Sequence, residues 1–137
     1  MNDTPLNEVN MHNHLGLTFS SDLTWTNHIR NIVSRASQRV NIMKRLKYLL
    51  GRKSLMLVYK TMIRPIMEYA CIIFDNCNAN DRDLLESVQY DAARVCLGAL
   101  CNTSKTKLLD ELGWDGLSER RRYYKLIAFY KIMNNLT

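Results

Sequence analysis

Cysteine, histidine and carboxylate are the side chains with which this 137-residue chain would ligate a metal or catalyse a reaction. Their spacing argues against both. Cys71 and Cys77 are separated by five residues and Cys96 and Cys101 by four, while His12, His14 and His28 all precede residue 29. Neither gap makes a tight zinc knuckle. The thiols read instead as buried or incidental side chains, which is the usual fate of free cysteine. Nucleophilic catalysis at Cys71 or Cys96 lacks an activating base nearby in sequence, and no glycine-rich phosphate cradle or nucleophile elbow occurs. His28, beside Ile29 in the first turn of a helix, reads as a packing histidine. A two-metal centre needs carboxylates converging on hard cations. The best cluster, Asp81, Asp83 and Glu86, sits where a helix start would place negative charge in any case. The residues therefore predict no catalytic centre, no metal and no cofactor.

The basic residues carry a stronger pattern. The net charge is +6, from 19 Lys and Arg against 13 Asp and Glu. Between Leu23 and Met67 there is no acidic residue, and ten basic ones occur: Arg30, Arg35, Arg39, Lys44, Arg45, Lys47, Arg52, Lys53, Lys60 and Arg64. A solvated helix face ordinarily mixes both signs. Lys and Arg at intervals along a helix neutralise phosphates and release counterions, so Arg30, Arg35, Arg39, Lys44, Arg45, Lys47, Arg52 and Lys53 are the candidate nucleic-acid-binding residues. An anionic membrane surface is the rival polyanion, disfavoured by the many aliphatic core positions of the same helix. Arg120, Arg121 and Arg122 offer either a second phosphate contact or pairing with Glu119 and neighbouring helices.

Low glycine and proline counts and a 47% apolar fraction favour helices packed around a core. The elements expected to position these residues follow from periodicity. Leu15, Leu17 and Phe19 alternate with Gly16 and Thr18, which suits a single short strand. Ile29, Ile32, Val33, Ala36, Val40 and Met43 recur at helical steps and predict a helix from about Trp25 to Leu50. On it Arg30, Arg35 and Arg45 fall outside the apolar stripe, with Arg39 at its border. Gly51 is placed to end that helix. Residues 52–74 read as one bent helix, with a kink or short break before Ile66 imposed by Pro65. A further helix, capped by Asn80 or Asp81, buries Leu84, Leu85, Val88, Ala92 and Val95 and stops at Gly98. A short helix from Ser104 to Leu112 and a last helix from about Ser118 to Asn134 complete the chain, the last with Tyr123, Leu126, Ile127, Tyr130 and Met133 on one face. The expected fold is mainly α, a bundle of about five helices with a short N-terminal strand-like segment. Residues 1–22 form a polar N-terminal segment and residues 23–137 the helical domain.

No apolar run approaches a membrane span, since Leu55 to Tyr59 is closed by Lys60. The start, Met1 to Pro5, lacks the basic and apolar regions of a signal peptide. The expectation is an intracellular protein of nucleus or cytoplasm, not a secreted one and without a membrane partner.

A succession of short motifs adds to this reading. His14-Leu15-Gly16-Leu17 precedes Leu23-Thr24-Trp25 and His28-Ile29. Tyr59-Lys60, Arg64-Pro65 and Tyr69 follow, then Leu85-Glu86, Val88-Gln89, Ala92-Ala93 and Arg94, and finally Leu112-Gly113-Trp114, Leu117 and Arg120-Arg121. In order and spacing, over about residues 14–133, this resembles the region immediately after the catalytic palm in reverse transcriptases of jockey-type non-LTR retrotransposons. The resemblance implies that Leu15-Gly16-Leu17 is an orphaned palm strand and Trp25 to Leu50 the first helix of a thumb that grips a template–primer duplex. His14 stands where the family usually carries an aromatic residue. The palm aspartates, the fingers, the endonuclease and the terminal cysteine–histidine knuckle are absent from this sequence, so polymerisation is carried over to no residue.

The function expected is that of a non-catalytic C-terminal fragment of such an RNA-directed DNA polymerase. It would contact an RNA–DNA hybrid or duplex backbone and, in the longer polymerase, a palm domain. The alternative is a structural or protein-interaction helical domain whose strand segment 15–19 and last helix were surfaces for the missing palm, and which self-associates when alone. Trp25, Tyr59, Tyr69 and Trp114 would stack on bases under the first reading, although aromatics at helical spacing more often anchor a core.

Overall fold

The computed structural model describes residues 3–137. The described chain is a bundle of five helices, the second interrupted by a π turn, preceded by a two-stranded antiparallel sheet. The mainly α architecture with a short N-terminal strand segment follows from the apolar periodicity.

The strand segment is not an orphan. Strand β1 (Met11–His14) pairs with β2 (Leu17–Ser20), with Met11 opposite Ser20 and His14 opposite Leu17. Leu15 and Gly16 are the turn between them, with φ of +50° and +82°. Positive φ at both central residues is the signature of a type I′ turn, whose twist matches that of paired strands. The Leu-Gly pair thus reverses the chain and does not continue a strand. Leu17 and Ser20 face inward, and the backbone N–H of Thr18 donates to Nδ1 of the buried His28 at 3.3 Å. The hairpin is thereby seated on the first turn of the following helix.

That helix, α1 (Thr26–Leu46), buries His28, Ile29, Ile32, Ala36, Val40 and Met43. It ends four residues before Leu50. Tyr48 and Leu49 are each 82% exposed, while Leu50 packs partly buried against the core from the turn that follows the helix. Gly51 does not stop it in a left-handed conformation. It adopts extended φ and ψ of −75° and 168° and begins the next helix.

The run from Arg52 to Glu68 comprises α2 (Arg52–Val58), a π turn at Tyr59–Ile63 and α3 (Arg64–Glu68). The break expected before Ile66 is replaced by this widened turn. Pro65 cannot donate to the carbonyl four residues back and its ring would clash there; a π turn upstream relieves the clash while helical geometry continues. The helix also stops at Glu68, short of residue 74, because Ala70 turns left-handed with φ +52°. Tight turns follow, with Cys71, Ile73 and Cys77 N–H groups each donating to the carbonyl three residues back at 3.0–3.1 Å. This three-residue rhythm buries Cys71, Phe74 and Cys77 together.

Helix α4 (Ala79–Leu97) is capped by Asn78, whose Oδ1 accepts from the Asp81 N–H at 2.8 Å. The cap expected at Asn80 or Asp81 is therefore displaced. Asp81 is buried and accepts from Thr26 Oγ1 at 2.9 Å, tying the first turns of α1 and α4. Leu85, Val88, Ala92 and Val95 are buried as expected, while Leu84 lies outward at 38% exposure. Gly98, with φ +62°, ends α4 in the left-handed conformation that glycine accepts without strain. Helices α5 (Lys105–Leu112) and α6 (Leu117–Met133) close the chain. The Tyr59 and Trp114 rings stack at 4.2 Å and join the π turn to the α5–α6 loop. Only Leu117 and Arg121 of α6 are buried, so Tyr123, Leu126, Tyr130 and Met133 face outward.

Candidate nucleic-acid interface

Helix α1 displays Arg30, Arg35, Arg39, Lys44 and Arg45 and contains no acidic residue, and all five are exposed. Lys47, Arg52 and Lys53 continue the exposed basic surface into the turn and α2. Among the described residues no carboxylate lies within 4 Å of any of these except Arg52. Arg52 bonds Glu111 on α5 twice, through Oε1 at 3.3 Å and the backbone carbonyl at 2.9 Å, so part of its donor capacity fastens α5 to α2.

The five α1 cations do not share one narrow stripe. At about 100° per residue, Arg35 and Arg39 stand on one flank of the buried face, Arg30 and Lys44 toward the other, and Arg45 on the side opposite it. From Arg30 to Arg45 the helix spans roughly 22 Å, comparable to about six base-pair steps of 3.4 Å. A polyanion lying along α1 would meet cations from both flanks. Lys44 and Arg45 also sit in the last turn, where positive charge is favoured by the helix dipole, so part of their presence has a local cause.

Of the remaining basic motifs, Arg64, Arg120 and Arg121 are used within the fold. Arg64 Nε lies 3.8 Å from Glu68 Oε2, and Arg120 bonds both Glu68 and the Tyr124 hydroxyl. Arg121 is buried, with Nε 3.6 Å from Asp75 and Nη2 donating to Ser118 Oγ at 2.9 Å. Of the Arg120–Arg122 triplet only Arg122 is exposed, so pairing within the fold takes the two arginines that a phosphate contact would have used.

The aromatic motifs divide similarly. Tyr59 and Trp114 are buried against one another, and Trp25 packs edge-on to Phe19 at 5.3 Å. Tyr69 is exposed, but its hydroxyl donates to the Leu15 carbonyl at 2.8 Å, and its ring lies 3.3 Å from where a Cβ on Gly16 would stand. Base stacking is therefore unavailable at Tyr59 and Trp114.

Burial pushes the thiols of Cys71, Cys77 and Cys96 up, Cys96 to about 11, which keeps them protonated and poorly nucleophilic at neutral pH. No group of three or more His, Cys, Asp or Glu suited to a metal occurs among the described residues. His28 packs against Phe74 at 5.2 Å and Trp25 at 6.0 Å, and burial, aided by the charge of Arg35, lowers its pKa.

Two residues whose roles the sequence conceals are Asp81 and Glu86. Glu86 accepts from the N–H groups of Leu117 at 3.2 Å and Ser118 at 2.8 Å, capping α6 from α4. The clue is Gly116 at the N-cap, which brings no side-chain acceptor of its own. Among the described residues no helix is long and apolar enough to cross a membrane. The chain matches no protein-family model, no curated protein and no solved structure.

Proposed function

We propose that this chain contributes backbone binding of a template–primer duplex or RNA–DNA hybrid, as the thumb-like, non-catalytic part of a reverse transcriptase of the non-LTR retrotransposon kind. The observation that carries the proposal is the acid-free α1, with its five exposed arginines and lysines unmatched by carboxylates among the described residues. The order of the sequence motifs supports the family. On this reading the isolated chain is not an enzyme, polymerisation belongs to a palm domain, and the protein works in the nucleus or cytoplasm. Binding is sequence-indifferent, because long cations reaching from a helix face meet phosphates and not base edges.

The test is titration of a labelled RNA–DNA hybrid against the wild-type chain and a variant with Arg30, Arg35, Arg39 and Arg45 replaced by glutamine. A large loss of affinity in the variant is expected. Unchanged affinity sinks the proposal.

A second reading, a structural or protein-interaction domain that self-associates, is favoured by α6. Leu126, Phe129, Tyr130, Ile132 and Met133 are each about three-fifths exposed, and contiguous apolar surface of this kind marks interaction sites. Size-exclusion chromatography at several concentrations separates the two: a salt-independent oligomer without oligonucleotide binding selects the second.

A further inference from the structure

The cleft between α3 and α6 takes no part in the proposal above. It encloses about 670 Å³, within the range of sites that hold a small ligand or the anchoring side chains of a peptide. Its floor is aliphatic, made by Pro65, Ala70, Ile127 and Ala128. Its walls are fixed by a polar network: Glu68, with a side chain 13% exposed, receives Arg120 and has Arg64 Nε at 3.8 Å, and Arg120 also donates to the Tyr124 hydroxyl at 2.8 Å. At the rim stand Lys60 and Lys131, both exposed and without a carboxylate within 4 Å among the described residues. The cleft therefore holds four cations, Lys60, Arg64, Arg120 and Lys131, against the single carboxylate of Glu68.

These features point to one kind of occupant. An apolar floor needs an apolar side chain to cover it, and uncompensated rim lysines need carboxylates or phosphates. A stacked base would want a free aromatic or guanidinium plane. Of the two aromatics that line the cleft, the Tyr124 ring is engaged by the Arg120 guanidinium, 5.5 Å from its centroid and itself held by Glu68. Tyr69 is held on the hairpin by its hydroxyl on the Leu15 carbonyl and its ring against Gly16. At the mouth, the lining residues Tyr69 and Ile72 are 58% and 41% exposed, which carries the apolar surface out to the rim.

We infer that the α3–α6 cleft docks an acidic peptide segment of a partner protein, with apolar anchors on the Pro65–Ile127 floor and flanking carboxylates on Lys60 and Lys131. The site is separate from the α1 surface, and it stands or falls without it. Charge complementarity at the rim gives orientation and encounter rate, and burial of the anchors gives residence time.

The test is selection of a displayed library of random short peptides on the whole chain, with depletion on the double variant Lys60→Glu, Lys131→Glu, followed by polarisation titration of a labelled consensus peptide. The consensus is expected to carry Asp or Glu around apolar anchors. Its affinity is expected to fall by about tenfold or more in the double variant. Arg35→Gln with Arg39→Gln should leave it unchanged, which separates this site from α1. Both lysines are exposed, and circular dichroism verifies that the variant folds; Lys60→Gln with Lys131→Gln serves if it does not. Absence of an acidic consensus, or affinity retained within about twofold in the lysine variants, overturns the inference. So does an oligothymidylate that binds the cleft with the same lysine dependence, which would make the occupant a nucleic acid.

Discussion

At Glu86 a carboxylate on α4 supplies the cap that Gly116 lacks, accepting the first two N–H groups of α6. Glu86→Ala should cost about 1–2 kcal/mol, read by urea unfolding, because two helix-end donors lose a charged acceptor. Tyr59 makes the opposite case. Its hydroxyl is buried without a hydrogen-bond partner, and burial raises its pKa well above the ordinary tyrosine value. Tyr59→Phe keeps the stack on Trp114 and removes the unpaired group, so the variant should melt at the same temperature as wild type or higher. His28 sets a pH dependence. Its pKa is lowered on folding, chiefly by burial, so below the unfolded value of 6.5 the unfolded chain binds more protons. The contribution is complete above that value and is lost as pH falls through and below it. Protonation would also remove Nδ1 as the acceptor for Thr18 and loosen the hairpin. The melting temperature should fall between pH 6.5 and 5, and a His28→Gln variant should show a shallower decline over that interval.

The hairpin shows why an element can escape a sequence reading. Leu17 and Phe19 alternate with Thr18, but all four residues of β1 are exposed, so Met11–His14 carries no apolar period to announce a partner strand. The turn that joins them depends on Gly16, whose φ of +82° and close approach to Tyr69 leave little room for a side chain. Gly16→Val should destabilise the chain by about 1–3 kcal/mol and detach the hairpin, seen as loss of amide protection at Thr18. In α1 the legible part was the apolar stripe, because Ile29, Ile32, Ala36, Val40 and Met43 all turned inward. Its end was not legible, since Tyr48 and Leu49 are apolar by sequence and yet lie exposed in the fold. The π turn and the tight turns at 70–77 are tertiary solutions to Pro65 and to the burial of Cys71, Phe74 and Cys77, and no local signal gives them.

Over the whole molecule, the motifs behind the proposed family reading are largely contacts between elements: Tyr69 on Leu15, Tyr59 on Trp114, Glu86 on Leu117 and Arg120 on Glu68. They specify how the helices meet, so their order in the sequence speaks first to architecture. The proposed interface was legible in the sequence because its signal is an absence of acids, which needs no tertiary information. What the sequence could not give was the pairing of Arg52 with Glu111, 59 residues apart in the chain. The α3–α6 cleft was equally hidden, since Lys60 and Lys131 lie far apart in the chain and only the packing of α6 on α3 puts them at one rim. The central claim concerns the α1 surface, and the dependence of hybrid affinity on salt tests it most directly. With seven exposed cations unmatched by carboxylates among the described residues, from Arg30 to Lys53 without Arg52, the logarithm of the binding constant should fall linearly with the logarithm of salt concentration. The expected slope is between about −3 and −6, at roughly 0.9 per phosphate neutralised. A slope near zero, or no binding at low salt, would contradict the claim.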